Sequence, residues 1–97
     1  MTERTVRFTE SFFDRLEELL PSERGADGTP SITDFLSFDI PAIRDRLARD
    51  AIEATLTTAI PGVRACIGTG TLISGFVAYV VVDDHDVEVF ALSFDTG

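Results

Sequence analysis

The stretch LISGFVAYVVVDDHDVEVFALSF, residues 72–94, decides the fold. Two apolar runs rich in β-branched and aromatic residues, Leu72 to Val82 and Val87 to Phe94, flank the polar break Asp83-Asp84-His85-Asp86. Such runs joined by a short polar segment predict two strands and a hairpin turn. The break also holds the chain's one histidine, which raises the question of a metal or catalytic site. Four consecutive residues in a turn aim in different directions, whereas metal ligands must converge. No EF-hand spacing, histidine pair or cysteine cluster accompanies them, so the break reads as a turn and no metal is expected.

Upstream, Val63 to Ile67 predicts another strand, and Gly68-Thr69-Gly70-Thr71 the turn that follows it. That glycine pair precedes no Lys and opens no helix, so the phosphate-loop and dinucleotide patterns both fail and no cofactor is expected. Pro61-Gly62 marks a further turn. The N-terminal half is helical in pattern. Asp39 is placed to cap a helix with Pro41 in its first turn and Ile40, Ile43, Leu47 and Ala51 along its apolar stripe. That helix frays between Asp50 and Leu56, because Thr55, Thr57 and Thr58 are weak helix formers. Ser31 starts a short helical turn carrying Ile32, Phe35 and Leu36. Ser22 to Pro30 reads as a loop. Thr9 or Ser11 caps an earlier helix, in which Phe12, Phe13, Leu16, Leu19 and Leu20 recur at helical spacing before Pro21 stops it. Thr5 to Phe8 alternates as a short opening strand. The order is one strand, two to three helices and a three-stranded antiparallel meander. It predicts one α+β domain over residues 1–97, with helices packed on one sheet face.

Composition narrows the class. Hydrophobic residues make up 44% of the 97, enough for a core without disulfides or metals. The single cysteine, Cys66, has no partner within the chain, which fits a reducing cytoplasm. It falls in a predicted strand with no activating neighbour and reads as a buried apolar residue. The polar start, Met1 to Thr5, precedes no apolar signal-peptide core, and the longest apolar stretch is too short to span a bilayer as a helix. Net charge is −9, every basic residue is Arg, and none follows Arg64. Phosphate binding needs cations, so nucleic acid is not an expected partner. Arg44, Arg46 and Arg49 share a helix with Asp45 and Asp50 and read as a solvated mixed-charge face.

The predicted strand over 72–82 is apolar on both faces, with Phe76, Ala78 and Val80 on one and Val77, Tyr79 and Val81 on the other. In the last strand, Val87, Val89 and Ala91 oppose Phe90, Leu92 and Phe94. Helices of so small a domain cover one face. The second face is expected to meet the short helix near 31–37, a second subunit or a partner protein, through Phe76, Val77, Tyr79, Val81, Phe90 and Leu92.

TVRFTESFFDRLEELL, DFLSFDIPAIRDRLARD and the segments GVRACIG and GFVAYVVVDDHDVEVFALSFD follow one another in an order that resembles the RelE/ParE-like toxin superfamily of bacterial toxin–antitoxin systems. In that resemblance they are the opening strand and first helix, the second helix and the closing meander. The resemblance implies a small cytoplasmic toxin-like domain that binds an antitoxin-like protein. RelE-like members cleave messenger RNA at the ribosome, and ParE-like members poison DNA gyrase without being nucleases. The residues matching a nucleolytic site are Arg64, Tyr79 and His85, which would be catalytic in an endoribonuclease. Cleaving a phosphodiester needs cations against the developing charge, and one Arg in an acidic sheet supplies little. The expectation is therefore a protein-binding, non-enzymatic domain, with a nuclease or a non-toxic homodimer as alternatives.

Overall fold

The computed structural model describes residues 3–23, 25–26, 31–69 and 75–94. The first predicted residues of the 72–82 strand, the second half of the Gly68–Thr71 turn and part of the Ser22–Pro30 loop lie outside them. The fold is α+β, and the described residues form one sheet of five strands in the order β1-β5-β4-β3-β2. These are β1 (Thr5–Phe8), β2 (Leu56–Thr57), β3 (Arg64–Gly68), β4 (Phe76–Val82) and β5 (Asp86–Phe94). The last three form antiparallel pairs. The sheet is nonetheless mixed, because β1 lies parallel to β5 with Val6 opposite Val87 and Phe8 opposite Val89. Parallel pairing needs a long crossover, and here the whole helical half and three strands, β2, β3 and β4, intervene between β1 and β5.

Helix α1 (Glu10–Leu19) begins at Thr9, whose hydroxyl accepts the Phe12 N–H. Ser11, the other cap candidate, donates instead to the Phe90 carbonyl on β5. Phe12 and Leu16 are the residues α1 buries. The chain leaves α1 at Leu20 and Pro21, and the Pro21 carbonyl accepts the Ile32 N–H where the next helical segment begins.

A short helix, α2 (Ile32–Asp34), opens with a capping box between Ser31 and Asp34. It does not end there. A π-helical turn, Phe35–Asp39, carries the backbone directly into α3 (Ile40–Asp50), and the Ile40 N–H reaches the Phe35 carbonyl five residues back. Asp39 is therefore inside a continuous helical path. Its backbone is right-handed helical and its side chain makes no cap bond, which corrects the N-cap expectation. The physical reason is Pro41. It has no N–H, and its ring crowds the carbonyl four residues back. The widened turn accommodates both without breaking the helix.

The helix ends at Asp50, within the stretch where the sequence predicts fraying, and residues 51–54 continue as turns. The Ala54 N–H bonds to the Asp50 carbonyl, and Leu56 and Thr57 then pair antiparallel with Ala65 and Arg64. Of the threonines that weaken the helix, Thr57 joins Leu56 in a two-residue edge strand. Between β2 and β3, Pro61-Gly62 turns the chain, with Gly62 at φ 83° and the Val63 N–H on the Ile60 carbonyl. A positive φ at the third residue of a turn is what glycine permits and other residues resist.

The core lies between the helices and one sheet face. Phe12, Leu16, Phe35, Ile43 and Leu47 pack onto Cys66, Ala78, Val80, Val87, Val89 and Leu92. One irregularity changes which residues of β5 join it. Val80 pairs with Val89 but Tyr79 pairs with Ala91, so Phe90 is an extra residue in β5. This bulge reverses the alternation. Leu92 comes back to the core and Phe94 packs against it, whereas Ala91 does not. The face expected from strict alternation, with Ala91 beside Val87 and Val89, is thereby corrected. No helix among the described residues is long and apolar enough to cross a membrane.

Candidate functional site

The three residues matching a nucleolytic site do not come together. Arg64 pairs with Val80 across β3 and β4 and so shares the helix side of the sheet with it. Its guanidinium reaches the end of the helical half. Nε donates to the Thr55 hydroxyl at 2.6 Å, and Nη2 donates to the carbonyls of Ile52 and Thr55 at 3.3 and 3.1 Å. Thr55, itself buried, donates its hydroxyl to the Ala51 carbonyl. Arg64 thus adds a second donor to the Ile52 carbonyl, which also accepts the Thr55 N–H, and supplies one to the Thr55 carbonyl. The cleft beside it, about 310 Å³, is walled by Ile52, Ile60, Pro61, Val63 and Val82 and includes neither Tyr79 nor His85. Tyr79 is adjacent to Val80 and therefore projects from the opposite face. His85 sits in the turn beyond Val82, roughly 20 Å along the chain from Tyr79 at full extension.

The hairpin turn closes on itself. One Asp83 carboxylate oxygen accepts the backbone N–H groups of His85 and Asp86, at 2.9 and 2.8 Å, and the Asp83 N–H bonds to the Asp86 carbonyl. These donors, His85 first, hold the Asp83 carboxyl below its usual value. Arg4 then donates to the Asp83 carbonyl, and the Thr5 N–H to that of His85, which ties the turn to β1. Among the described residues no group of His, Cys, Asp and Glu is arranged to hold a metal.

Most of the arginines serve the fold in the same manner. Arg15 reaches the Leu92 carbonyl and pairs with Glu18, Arg46 reaches the Ile67 carbonyl and Arg49 the Asp45 carbonyl. Arg46 also lines a cleft of about 330 Å³ between α3 and β3, with Asp39, Ile43, Cys66, Gly68 and Phe76 around it. Burial pushes the Cys66 thiol above its ordinary pKa, against the opposing charge of Arg46.

The feature left for function is the sheet face away from the helices. Register builds it in rows. Ser93, Val77 and Ile67 lie side by side on β5, β4 and β3. Ala91, Tyr79, Ala65 and Leu56 form the next row across β5, β4, β3 and β2. Arg7, Glu88 and Val81 form the third, and Arg7 pairs with Glu88 at 3.6 Å. Ile67, Leu56 and Val81 are 53, 61 and 44% exposed, too much for residues of a finished core. Val77, Tyr79 and Phe90 are half-buried and belong to neither the core nor the layer packed against it. Of the six residues expected on a partner face, Phe76 and Leu92 are in the core, and Val77, Tyr79, Val81 and Phe90 lie outside it. Ile67 and Leu56 were missed. Ile67 was read as an ordinary strand residue and Leu56 as the end of a helix, and only the pairing of β2 on β3 puts them in this face.

No protein-family model, curated protein or solved structure matches the chain.

Proposed function

We propose that the chain is a small protein-binding domain whose function is carried by the helix-free face of its sheet. The observation behind this is the continuity of that face. Ile67, Val77, Tyr79, Leu56 and Val81 occupy neighbouring register positions over β3, β4 and the short edge strand β2. Exposed apolar surface of this extent on one small domain marks an interaction site, and a tyrosine at its centre is the residue type that anchors protein interfaces. In terms of the toxin superfamily that the sequence resembles, this reading is a ParE-like or non-catalytic relative acting through an antitoxin-like partner, with gyrase as the target of a toxic form. Cleavage of RNA is the weaker reading, because Arg64 is bonded to Thr55 and Ile52 on one side of the sheet while Tyr79 lies on the other.

The experiment is photo-crosslinking in cells. A benzoyl-phenylalanine replaces Val77 or Ile67 on the sheet face, or Arg44, which is exposed on α3. The expected result is a discrete protein adduct from Val77 and Ile67 that Arg44 does not give. Adducts to RNA, or equal labelling from all three positions, would overturn the reading. Growth and messenger RNA integrity are followed in the same cultures. Arrest with intact messenger RNA is the pattern of a ParE-like action, and cut messenger RNA restored by Arg64→Ala is that of a nuclease.

A further inference from the structure

The open face is not uniform along the strands, and its gradient specifies what covers it. At one end lie Ser93, Val77 and Ile67, none of them charged. At the other end, where β4 turns into β5, lie the acidic residues Asp83, Asp84, Asp86 and Glu88. Arg4 and Arg7 are the cations there, and both are engaged, Arg4 with the Asp83 carbonyl and Arg7 with Glu88. Asp84 and Asp86 carry no ion pair among the described residues. The row between these ends, Ala91, Tyr79, Ala65 and Leu56, is apolar apart from the tyrosine hydroxyl.

The geometry points to a basic amphipathic helix as the occupant, its apolar stripe on Tyr79, Val77 and Ile67 and a cluster of Lys or Arg over Asp84 and Asp86. This rests on the protein-binding reading of the same face and names the chemistry of the partner. Dimensions agree. The rows from Val77 to the hairpin span roughly 20 Å, about four turns of helix, and the strands from β5 to β2 span roughly 14 Å, wide enough for one helix. Basic residues at the helix C-terminus would also complement its dipole, which sets the direction of docking. A second copy of this chain fits less well. It brings to this face no basic side chain except Arg7, already paired with Glu88, and adds a further −9 of net charge.

The test uses three synthetic helices of about 16 residues that share one leucine stripe and carry Lys, Gln or Glu at the C-terminal polar positions, a length set by the four-turn span. Binding to the full chain is followed by fluorescence anisotropy at low and high salt, with circular dichroism confirming that each variant is folded. The Lys peptide should bind roughly tenfold more tightly than the Glu peptide, with the difference shrinking at high salt. The double substitution Asp84→Asn and Asp86→Asn should remove that preference and leave the Gln peptide unchanged. Ile67→Ser with Tyr79→Ser should weaken all three. Equal affinities for the three peptides, lost together on Ile67→Ser with Tyr79→Ser, would keep the face and overturn the basic partner. So would a concentration-dependent dimer in sedimentation that the same two substitutions disperse. Lys-peptide binding indifferent to Ile67→Ser and Tyr79→Ser would overturn the face itself.

Discussion

Arg64 shows how one residue's surroundings outweigh its chemical type. A lone Arg on an inner strand of an acidic domain has the chemistry to meet phosphate, yet its guanidinium makes bonds to Thr55 and Ile52 that hold the turn after α3 onto β3. Arg64→Ala removes the donor to the Thr55 hydroxyl and carbonyl, while the Ile52 carbonyl keeps the Thr55 N–H, and should cost about 2 kcal/mol. The thermal midpoint should then fall by roughly 10 °C for a domain of this size, read by circular dichroism. Arg64→Lys should recover little, because an ammonium does not reproduce the fork. Asp83 gives a pH signature of known sign. Its folded carboxyl lies below the unfolded value of 3.8, so its contribution to stability is present at neutral pH. That contribution is lost as pH falls through the folded value. Asp83→Asn keeps an oxygen acceptor and removes the titration, so its thermal midpoint should decline less than the wild type's between about pH 5 and pH 3. The hairpin turn itself was legible from Asp83-Asp84-His85-Asp86, because turn residues act locally. The role of Arg64 was not, because Thr55 and Ile52 reach it only through the pairing of β2 on β3.

Elements were most legible where one signal dominated. The spacing of Phe12, Leu16 and Leu20 marked α1, and the β-branched run ending at Val82 marked β4. Competing signals hid two features. Asp39 before Pro41 reads as a helix start, but the helical path passes through both by widening one turn. The three threonines after α3 read as fraying, and Leu56-Thr57 became an edge strand because β3 offered a partner. Tight packing between elements supplies a test at Gly68. A Cβ built there would stand 2.9 Å from the Phe76 ring and 3.5 Å from the Arg46 guanidinium. Gly68→Ala should therefore displace Phe76, a core residue, and cost about 1–3 kcal/mol. Chemical denaturation measures it. An unchanged midpoint would mean that the ring slides aside freely.

At the scale of the whole molecule, Cys66 reports on the integrity of the fold. It is fully buried in the core, and burial raises its pKa, so a thiol reagent should label it only when the domain opens. The labelling rate in native buffer should track global unfolding and rise in Arg64→Ala by the same factor as the unfolding equilibrium. Prompt labelling of the native protein would instead reveal access through the cleft beside Arg46. The open sheet face belongs to this scale as well. By itself the sequence determined the α+β class, the hairpin and the fact that β4 is apolar on both sides, because periodicity, turn residues and composition act over a few neighbours. Only the tertiary structure decided that β1 runs parallel beside β5, that the bulge at Phe90 sends Leu92 to the core, that Arg64 and Tyr79 stand on opposite faces, and that Ile67 and Leu56 complete an apolar surface. Those outcomes depend on strand register and on pairings between residues far apart in the chain, and a shift of one position exchanges every side chain between core and surface.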